Sequence, residues 1–262
     1  MEAKITALVQ TYNASRYLDK VLSALSGFDE LLVVDMESTD DTLDIARKHD
    51  ARIITYPRGE HRIVEAYRDK AIHEAANDWV LVMDADEVVT PELREYLYDE
   101  IRRDPSPRGY ALTFKNFFMG HFMKCMYPDY KIRFFHKDVT TWPTVIHSQP
   151  QIDGPVIKIP KRRMELATIH LANDSIASLQ EKASRYTDNE VPRRRKRYSP
   201  IKIITGTFFR FFKTYILKGG ILEGYPGLVK AMMDGYYRFL IMAKLEEERQ
   251  NAACSRDIDA YL

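Results

Sequence analysis

The sequence predicts an α/β fold built on a parallel sheet whose two faces are covered by helices. Apolar runs alternate with helical segments over the first hundred residues, the runs are continuously apolar, and each ends in polar residues. Strands are predicted at 4–9, 31–34, 52–55 and 79–83, and helices at 14–26, from the cap at 38–41 to 48, at 61–76 and at 91–102. Ligands of such sheets bind where the carboxyl ends of the strands meet.

Local signals set the ends of these elements. Asn13 is predicted to be the N-cap of the first helix and Gly27 to end it, because Asn accepts from free amides and Gly adopts the left-handed conformation. Residues 57–59 turn the chain into the third helix. After residue 103 the alternation stops, and two further strands are predicted at 110–117 and 131–135.

Composition excludes several classes of protein. The chain has 262 residues, 45% of them hydrophobic, and a net charge of +1, which does not favour a nucleic-acid partner. Cys125 and Cys254 match no metal or redox spacing, so a reduced, cytosolic setting is expected. The N-terminus lacks a signal-peptide pattern, and no apolar run approaches the ~20 residues that span a bilayer.

The fourth predicted strand ends abruptly in acidic residues, with the sequence Asp84-Ala85-Asp86-Glu87 after a run of apolar residues. Because side chains alternate along an extended segment, Asp84 and Asp86 point to the same side. Two hard oxygen ligands suit Mg²⁺ or Mn²⁺, and such ions often also hold a phosphate. The motif predicts a divalent-cation site serving a diphosphate substrate, with a solvated loop as the alternative.

Other polar residues are expected to converge with this motif, since Tyr12 and Asp35 also follow strands of the predicted sheet. No Gly-x-Gly-x-x-Gly follows the first strand, which argues against a dinucleotide cofactor. Two other classes stay open at this point. One is a haloacid-dehalogenase-like phosphatase with Asp84 as nucleophile and Asp86 as acid, and the other is a non-enzymatic adaptor at a membrane surface.

Three motifs in this order resemble the family 2 glycosyltransferases, which have the GT-A fold. They lie at residues 11–13, 34–42 and 84–87. The similarity continues to about residue 245 and is closest to the WaaE/KdtX-type lipopolysaccharide core glycosyltransferases. It implies a GT-A catalytic domain at 1–160, with the donor site mainly in 1–104 and the acceptor side in 105–160. A mainly helical extension follows at 161–262.

The resemblance implies an inverting transferase that uses a nucleotide-diphosphate sugar, most often a UDP-sugar. The residues that it implies for the donor site are Thr11, Tyr12, Asp35, Arg68, Asp84 and Asp86. Tyr12 would flank the base, Asp35 would bind the base edge or the ribose, and Arg68 would reach the base or a phosphate. Asp86, together with Asp84, would hold Mg²⁺ or Mn²⁺.

The catalytic base is less well defined. Relatives commonly carry His-Glu where this chain has His147-Ser148, so the carboxylate of the second position is missing. The candidates are His147, Glu87 and Asp129. Pairing with a nearby Arg or Lys is the alternative for Glu87, and a purely structural role is the alternative for His147. We expect His170 to support the fold rather than to take part in the chemistry.

The C-terminal third combines a basic cluster at 193–197 with an aromatic helix. Four aromatic residues share one predicted helix face through their i, i+3, i+4, i+7 spacing, namely Phe208, Phe211, Phe212 and Tyr215. Such a helix suits the interface of an anionic membrane, and packing on the catalytic domain is the alternative.

We expect a peripheral protein on the inner face of the cytoplasmic membrane that acts on a glycan or glycolipid. Association between copies is left open. Glycines at 219, 220, 224 and 227 then interrupt the helix, and a last helix is predicted from 228 to 249.

Overall fold

A computed structural model describes residues 3–59, 67–104, 106–143, 149–171, 175–191 and 196–259, with side chains at all of these except 178, 189 and 252–259. The strands are β1 (Ile5–Thr11), β2 (Glu30–Asp35), β3 (Arg52–Thr55), β4 (Trp79–Asp84), β5 (Glu87–Val88), β6 (Gly109–Phe118), β7 (His121–Phe122), β8 (Asp129–His136), β9 (Thr140–Thr141), β10 (Gln151–Ile152), β11 (Val156–Lys158) and β12 (Thr168–His170). The helices are α1 (Ser15–Leu25), α2 (Thr42–Lys48), α3 (Arg68–His73), α4 (Pro91–Arg103), α5 (Ile176–Glu190), α6 (Pro200–Phe212) and α7 (Gly224–Asp259).

Within the described ranges, ten strands form one mixed sheet in the order β3-β2-β1-β4-β8-β6-β12-β5, with β7 and β11 paired to β6. The first four strands of this order are parallel, as predicted. β8 is antiparallel to both β4 and β6. The prediction of a parallel sheet therefore holds for these four strands, whereas β8 runs antiparallel because the short connection from β6 to β8 contains no crossover helix.

Both faces of β1 and β4 are buried, which explains why these strands are mainly apolar. Alternate residues of β1 and β4 enter two separate cores. One core contains Ile5, Val9, Leu81 and Met83 with residues of α1 and α4. The other contains Leu8, Val80 and Val82 with Ala71 and Ile72 of α3. The carboxyl ends of these strands are thereby fixed from both sides.

The first helix begins differently from the prediction. Ala14, not Asn13, occupies the N-cap position of α1, and no side chain caps this helix. Asn13 has a left-handed backbone with φ 46°, and its Oδ1 accepts a hydrogen bond from the backbone N–H of Thr39 at 2.8 Å. The predicted capping role of Asn13 is wrong, because its side chain ties two neighbouring loops together instead. Of the predicted helix at 61–76, residues 61–66 lie outside the described part of the chain.

Contacts divide the chain into two compact units. The sheet unit contains Met1–Asn116 and Tyr127–Ala172, and the helical unit contains Phe117–Met126 and Asn173–Leu262. The predicted domain boundary at residue 160 falls before β12, a strand of the sheet. In the helical unit α7 begins at Gly224 rather than at 228, because a proline in the first turn of a helix needs no hydrogen-bond acceptor. No described helix is both long and apolar enough to cross a membrane.

Candidate active site

Asp35 lies at the carboxyl end of β2, beside Thr11 at the end of β1. Its side chain is completely buried. One carboxylate oxygen accepts hydrogen bonds from the hydroxyls of Thr11 (2.8 Å) and Ser38 (2.5 Å), and the other accepts from the backbone N–H of Ser38 (2.8 Å). Asp35 therefore shapes the loop that follows β2. Its contact with a base or ribose stays a prediction.

Tyr12 follows β1 and is covered on one face by Arg58. The guanidinium carbon of Arg58 lies 3.8 Å from the centre of the Tyr12 ring, and the same group donates a hydrogen bond to the Tyr12 hydroxyl. The backbone N–H of Arg58 donates to the carboxylate of Glu37 at 3.0 Å, which anchors the loop. A base that stacks on Tyr12 would therefore use the opposite face of the ring.

Asp84 is held between two arginines. Arg68 donates from Nη2 to Asp84 Oδ1 at 2.9 Å, and Arg133 donates to Oδ2 from the adjacent strand β8. Both arginines are 95% buried, and Arg68 also donates to Gln10 and lies over the ring of Trp142. Burial alone raises the pKa of a carboxyl group. Here the charges of Arg133, Arg68 and Lys131 outweigh burial and hold the pKa of Asp84 well below its usual range.

Glu87 is fully buried beneath this pair. Its Oε1 accepts hydrogen bonds from Lys131 Nζ and Arg133 Nη2, both at 3.1 Å, and its Oε2 accepts from the backbone N–H of Asp84 at 3.1 Å. The structure thus pairs Glu87 with Lys131 and Arg133. Such a pairing was the alternative to a catalytic role for Glu87. With Arg68, the cluster has three cations and two anions, so it presents one surplus positive charge beneath the end of β4.

Asp86 begins a chain of hydrogen-bonding side chains. Its Oδ2 lies 3.3 Å from His170 Nε2, His170 Nδ1 lies 2.9 Å from Asn116 Oδ1, and Asn116 Nδ2 donates to Asp129 Oδ2 at 3.0 Å. Strand register explains the contacts, since β12 places His170 beside Glu87 of β5 and beside Asn116 of β6. The backbone N–H of Leu171 also donates to the carbonyl of Asp86 at 2.8 Å, which fixes this turn.

The hydrogen bonds from Asp86 to Asp129 determine which ring nitrogen of His170 carries the hydrogen. Because Asn116 donates its amide N–H to Asp129, its oxygen faces His170, so Nδ1 of His170 carries the hydrogen. In the neutral ring Nε2 then presents a lone pair toward the carboxylate of Asp86. Two acceptors that face each other require a proton or a cation between them. Burial lowers the pKa of His170, but the hydrogen bond and charge of Asp86 outweigh it and raise the pKa overall.

A surface pocket of about 390 Å³ lies at this edge of the sheet. It is lined by Gln10, Tyr12, Asn13, Ala14, Arg16, Tyr17, Arg68, Asp84, Ala85 and Asp86. The pocket thus gathers four of the six residues implied for the donor site, whereas Thr11 and Asp35 are buried behind it. Asp129 is linked to Asp86 of the pocket through Asn116 and His170, and His147 lies outside the described residues. Among those that are described, no group of three or more His, Cys, Asp or Glu is placed to hold a metal ion.

Sequence reasoning missed the partners supplied by β8 and the position of Arg16. Lys131 and Arg133 are two residues apart in β8, and both donate to Glu87 Oε1. That spacing of charges inside a predicted strand was the available signal. Which strand lies beside β8 is a long-range property, and only the antiparallel pairing of β8 with β4 brings Arg133 to Asp84.

Comparisons with known proteins agree with this architecture. Residues 6–139, just over half of the chain, match the family Glycosyl transferase family 2. Uncharacterised glycosyltransferases of Rickettsia felis and Rickettsia bellii are 28% and 26% identical, and each alignment covers 93% of this chain and 90% and 86% of the relative. A mannosyltransferase from Pyrobaculum calidifontis, solved with GDP-Man and Mn²⁺, superposes with a TM-score of 0.52 at 14% identity, covering 92% of this chain and 86% of that one. The GT-A fold is thereby confirmed.

Proposed function

Because the chain belongs to glycosyl transferase family 2, we propose that it is an inverting, metal-dependent enzyme that takes its sugar from a UDP-sugar. The acceptor is a lipopolysaccharide core or another envelope glycan, including lipid-linked ones. Family membership makes the chain a transferase, so the phosphatase and adaptor alternatives are not retained. The observation that carries the proposal is the pocket in which Tyr12, Arg68, Asp84 and Asp86 meet at the carboxyl ends of the strands.

The pocket has the charge distribution that a nucleoside diphosphate needs. Arg16 lines the pocket, and the cluster of Arg68, Lys131, Arg133, Asp84 and Glu87 carries one surplus positive charge. Cations fixed in a partly buried site attract phosphate more strongly than solvated ones, because water screens them less. The side chain of Asp84 keeps 37% of its surface exposed, so it can still accept a hydrogen bond from a ribose or sugar hydroxyl.

The residues around Asp86 fit Mg²⁺ or Mn²⁺. His170 Nε2 and Asp86 Oδ2 face each other as acceptors, and His170 is oriented through its other nitrogen, as metal-binding histidines are. We assign the cation to Asp86, with His170 as its neighbour, and not to Asp84, whose two oxygens already accept from arginines. A bound cation neutralises the charge of the departing diphosphate. The mannosyltransferase with Mn²⁺ and GDP-Man supports this use, and it makes GDP the second nucleotide to test.

We assign the catalytic base to His147. Glu87 has no exposed surface and cannot reach an acceptor hydroxyl, and Asp129 already accepts from Asn116. In a direct displacement the base takes the proton of the acceptor hydroxyl as that oxygen attacks the anomeric carbon, and the nucleoside diphosphate leaves. His147→Ala should therefore lower kcat strongly while the affinity for UDP changes little. Equal losses in kcat and in UDP affinity would assign His147 to donor binding instead.

The basic, aromatic segment 193–217 supports a location at the inner face of the cytoplasmic membrane. Residues 192–195 lie outside the described ranges, whereas Lys196 and Arg197 are exposed. A glycan acceptor carried on a lipid would be reached most directly by an enzyme bound at the bilayer surface. Anionic lipids attract Lys and Arg clusters of this kind.

Calorimetric titration of UDP with and without Mn²⁺ tests the donor and metal assignments together. Wild type should bind UDP tightly only when Mn²⁺ is present, and Asp86→Ala should lose that dependence. Asp99→Ala removes a carboxylate of the α4 surface that is 77% exposed and serves as the matched control. Failure of wild type to bind either UDP or GDP with Mn²⁺ would contradict the proposed donor class.

A further inference from the structure

The helical unit displays large apolar side chains instead of burying them. On α6 they are Ile201 (73% exposed), Ile204 (69%), Phe208 (70%), Phe209 (61%) and Phe212 (42%). Ile201, Ile204, Phe208 and Phe212 follow the i, i+3, i+7, i+11 spacing of one helix stripe. Contiguous exposed apolar surface of this kind marks a contact with a partner or a membrane.

This stripe is rotated from the face that the sequence predicted. Phe211 and Tyr215 are only partly exposed and stack on each other at 5.4 Å between ring centres. A side chain at Gly235 of α7 would meet the Thr207 carbonyl and Phe211, so α7 approaches α6 on that side. The predicted face is therefore divided between packed and exposed residues, and membrane association stays a prediction. Phe211 packs within the helical unit, and Phe208 and Phe212 face solvent.

The connection from α6 to α7 continues the exposed surface. Four apolar residues at this tip are more than half exposed, namely Leu217 (65%), Ile221 (51%), Leu222 (88%) and Tyr225 (66%). Backbone contacts hold the tip together. A Cβ at Gly227 would lie 1.9 Å from the Gly220 carbonyl oxygen, so the two backbones approach as only glycine permits. The apolar side chains of the tip nevertheless stay largely exposed.

Charge identifies the kind of partner. Residues 191–222 contain nine Lys or Arg and no Asp or Glu. Lys202, Lys213 and Lys218 are exposed among the apolar side chains, whereas Arg210 approaches Asp234 of α7 at 3.6 Å. A second copy of the chain would bring two cationic surfaces together, which costs energy. An anionic lipid surface complements both the charge and the apolar side chains.

We propose that α6 and the tip at 217–225 insert into the headgroup layer of an anionic bilayer, with Lys202, Lys213 and Lys218 at the level of the lipid phosphates. The inference sharpens the membrane association in the proposed function. It assigns the contact to a surface that extends past residue 217 and excludes Phe211 from it. It is independent of the donor nucleotide and of the metal.

Co-sedimentation with phosphatidylglycerol-containing vesicles and with pure phosphatidylcholine vesicles tests this surface. Wild type should bind the anionic vesicles preferentially, and Phe208→Ser/Phe212→Ser/Leu222→Ser should reduce binding about a hundredfold or more. Lys202→Glu/Lys213→Glu/Lys218→Glu should remove the preference for anionic lipid. Met164→Ser/Ile176→Ser, which changes two apolar residues outside the surface that are 38% and 43% exposed, should leave binding unchanged.

A second measurement reports insertion directly. Leu222→Trp should show a blue-shifted emission when anionic vesicles are added, and Met164→Trp should not. Unchanged vesicle binding by the triple Ser variant would overturn the proposal, as would self-association of wild type that the same variant abolishes without any vesicle binding. UDP titration of the Ser variant should match wild type. Vesicle binding without any UDP binding would instead contradict the proposed function and leave the membrane surface supported.

Discussion

In the sheet unit the carboxylate of Glu87 is fully buried between Lys131 and Arg133, whereas in the helical unit Leu222 exposes 88% of its surface. Burying a charge is costly unless partners compensate it, and exposing a large apolar side chain forgoes the stabilisation of burial. Each unit therefore carries a feature that folding alone does not favour. Such features are retained where function needs them.

The difference suggests how the two features serve the enzyme. Buried ion pairs keep Asp84 and its arginines in one arrangement before a substrate arrives, so little reorganisation is needed on binding. The exposed apolar residues gain stabilisation only when a bilayer covers them. Substitutions among the buried ion pairs should therefore affect stability and the site together. Substitutions at the exposed surface should affect neither.

The largest effect is expected for Glu87→Gln. Removing this charge leaves Arg133 and Lys131 partly uncompensated in a buried position, which should lower the free energy of unfolding by about 3–5 kcal/mol. Urea unfolding at neutral pH measures the change. Glu95→Gln on the exposed surface of α4 is the control and should stay within about 0.5 kcal/mol.

The outcome also separates two roles of Glu87. Loss of turnover without loss of stability would indicate a catalytic base rather than a buried ion-pair partner. Glu87→Leu combined with Arg133→Met should recover part of the stability, since apolar residues of similar volume often replace buried ion pairs well. The double variant should still lack activity, because Asp84 then loses the hydrogen bond from Arg133.

A smaller effect is expected for Asn116→Leu. Without the amide, His170 Nδ1 loses its acceptor and the ring loses its fixed orientation toward Asp86. Affinity for Mn²⁺, measured by calorimetry in the presence of UDP, should fall about tenfold to a hundredfold. Asp129→Asn keeps an acceptor for Asn116 and should bind Mn²⁺ like wild type. A collapse of kcat in Asp129→Asn with Mn²⁺ affinity intact would show that Asp129 is the base.

The parts of the fold that were predicted depend on local patterns. β3 matches its predicted range, and β1, β2 and β4 differ from theirs by a few residues, because continuous apolar runs and turn residues bound them. The acidic motif after β4 was recognised for the same reason. The ion pairs of Arg133 and the contact of His170 with Asp86 depend on which strands become neighbours late in the chain. No local pattern determines that pairing.

Local patterns also failed where two outcomes have similar propensity. Asn13 suits both an N-cap and a left-handed loop position, and the hydrogen bond from Thr39 in a neighbouring loop decides between them. The exposed face of α6 was predicted from aromatic spacing alone. Its orientation is set by the close approach of α7 at Gly235, which turns Phe211 inward and leaves Phe208 exposed.

Phe208 and Phe211 of α6 allow an exposed and a packed aromatic side chain to be compared within one helix. Phe211→Ala removes a ring that packs between Tyr215 and α7 and should lower the free energy of unfolding by about 1–2 kcal/mol, less than a fully buried Phe would cost. Phe208→Ala should change it by less than about 0.5 kcal/mol, because that side chain is 70% exposed. Vesicle binding should decrease more for Phe208→Ala than for Phe211→Ala. Equal stability losses would mean that the exposed stripe also packs against part of the protein.

The smallest effect concerns acid stability within the helical unit and involves the carboxylate of Asp234. Asp234 accepts hydrogen bonds from Thr214 (2.7 Å) and Lys230, and its side chain is only 15% exposed. Burial raises its pKa, but Lys230, Thr214 and Arg210 outweigh burial and lower the pKa overall. A carboxyl group whose pKa is lower in the folded state stabilises that state above its unfolded pKa of about 3.9. This contribution is lost as pH falls below that value toward the folded pKa.

Asp234→Asn should therefore unfold at lower urea concentration than wild type at pH 7, and the difference should shrink below about pH 4. A difference that stays constant with pH would show that Asp234 acts through its hydrogen bonds alone and not through its charge.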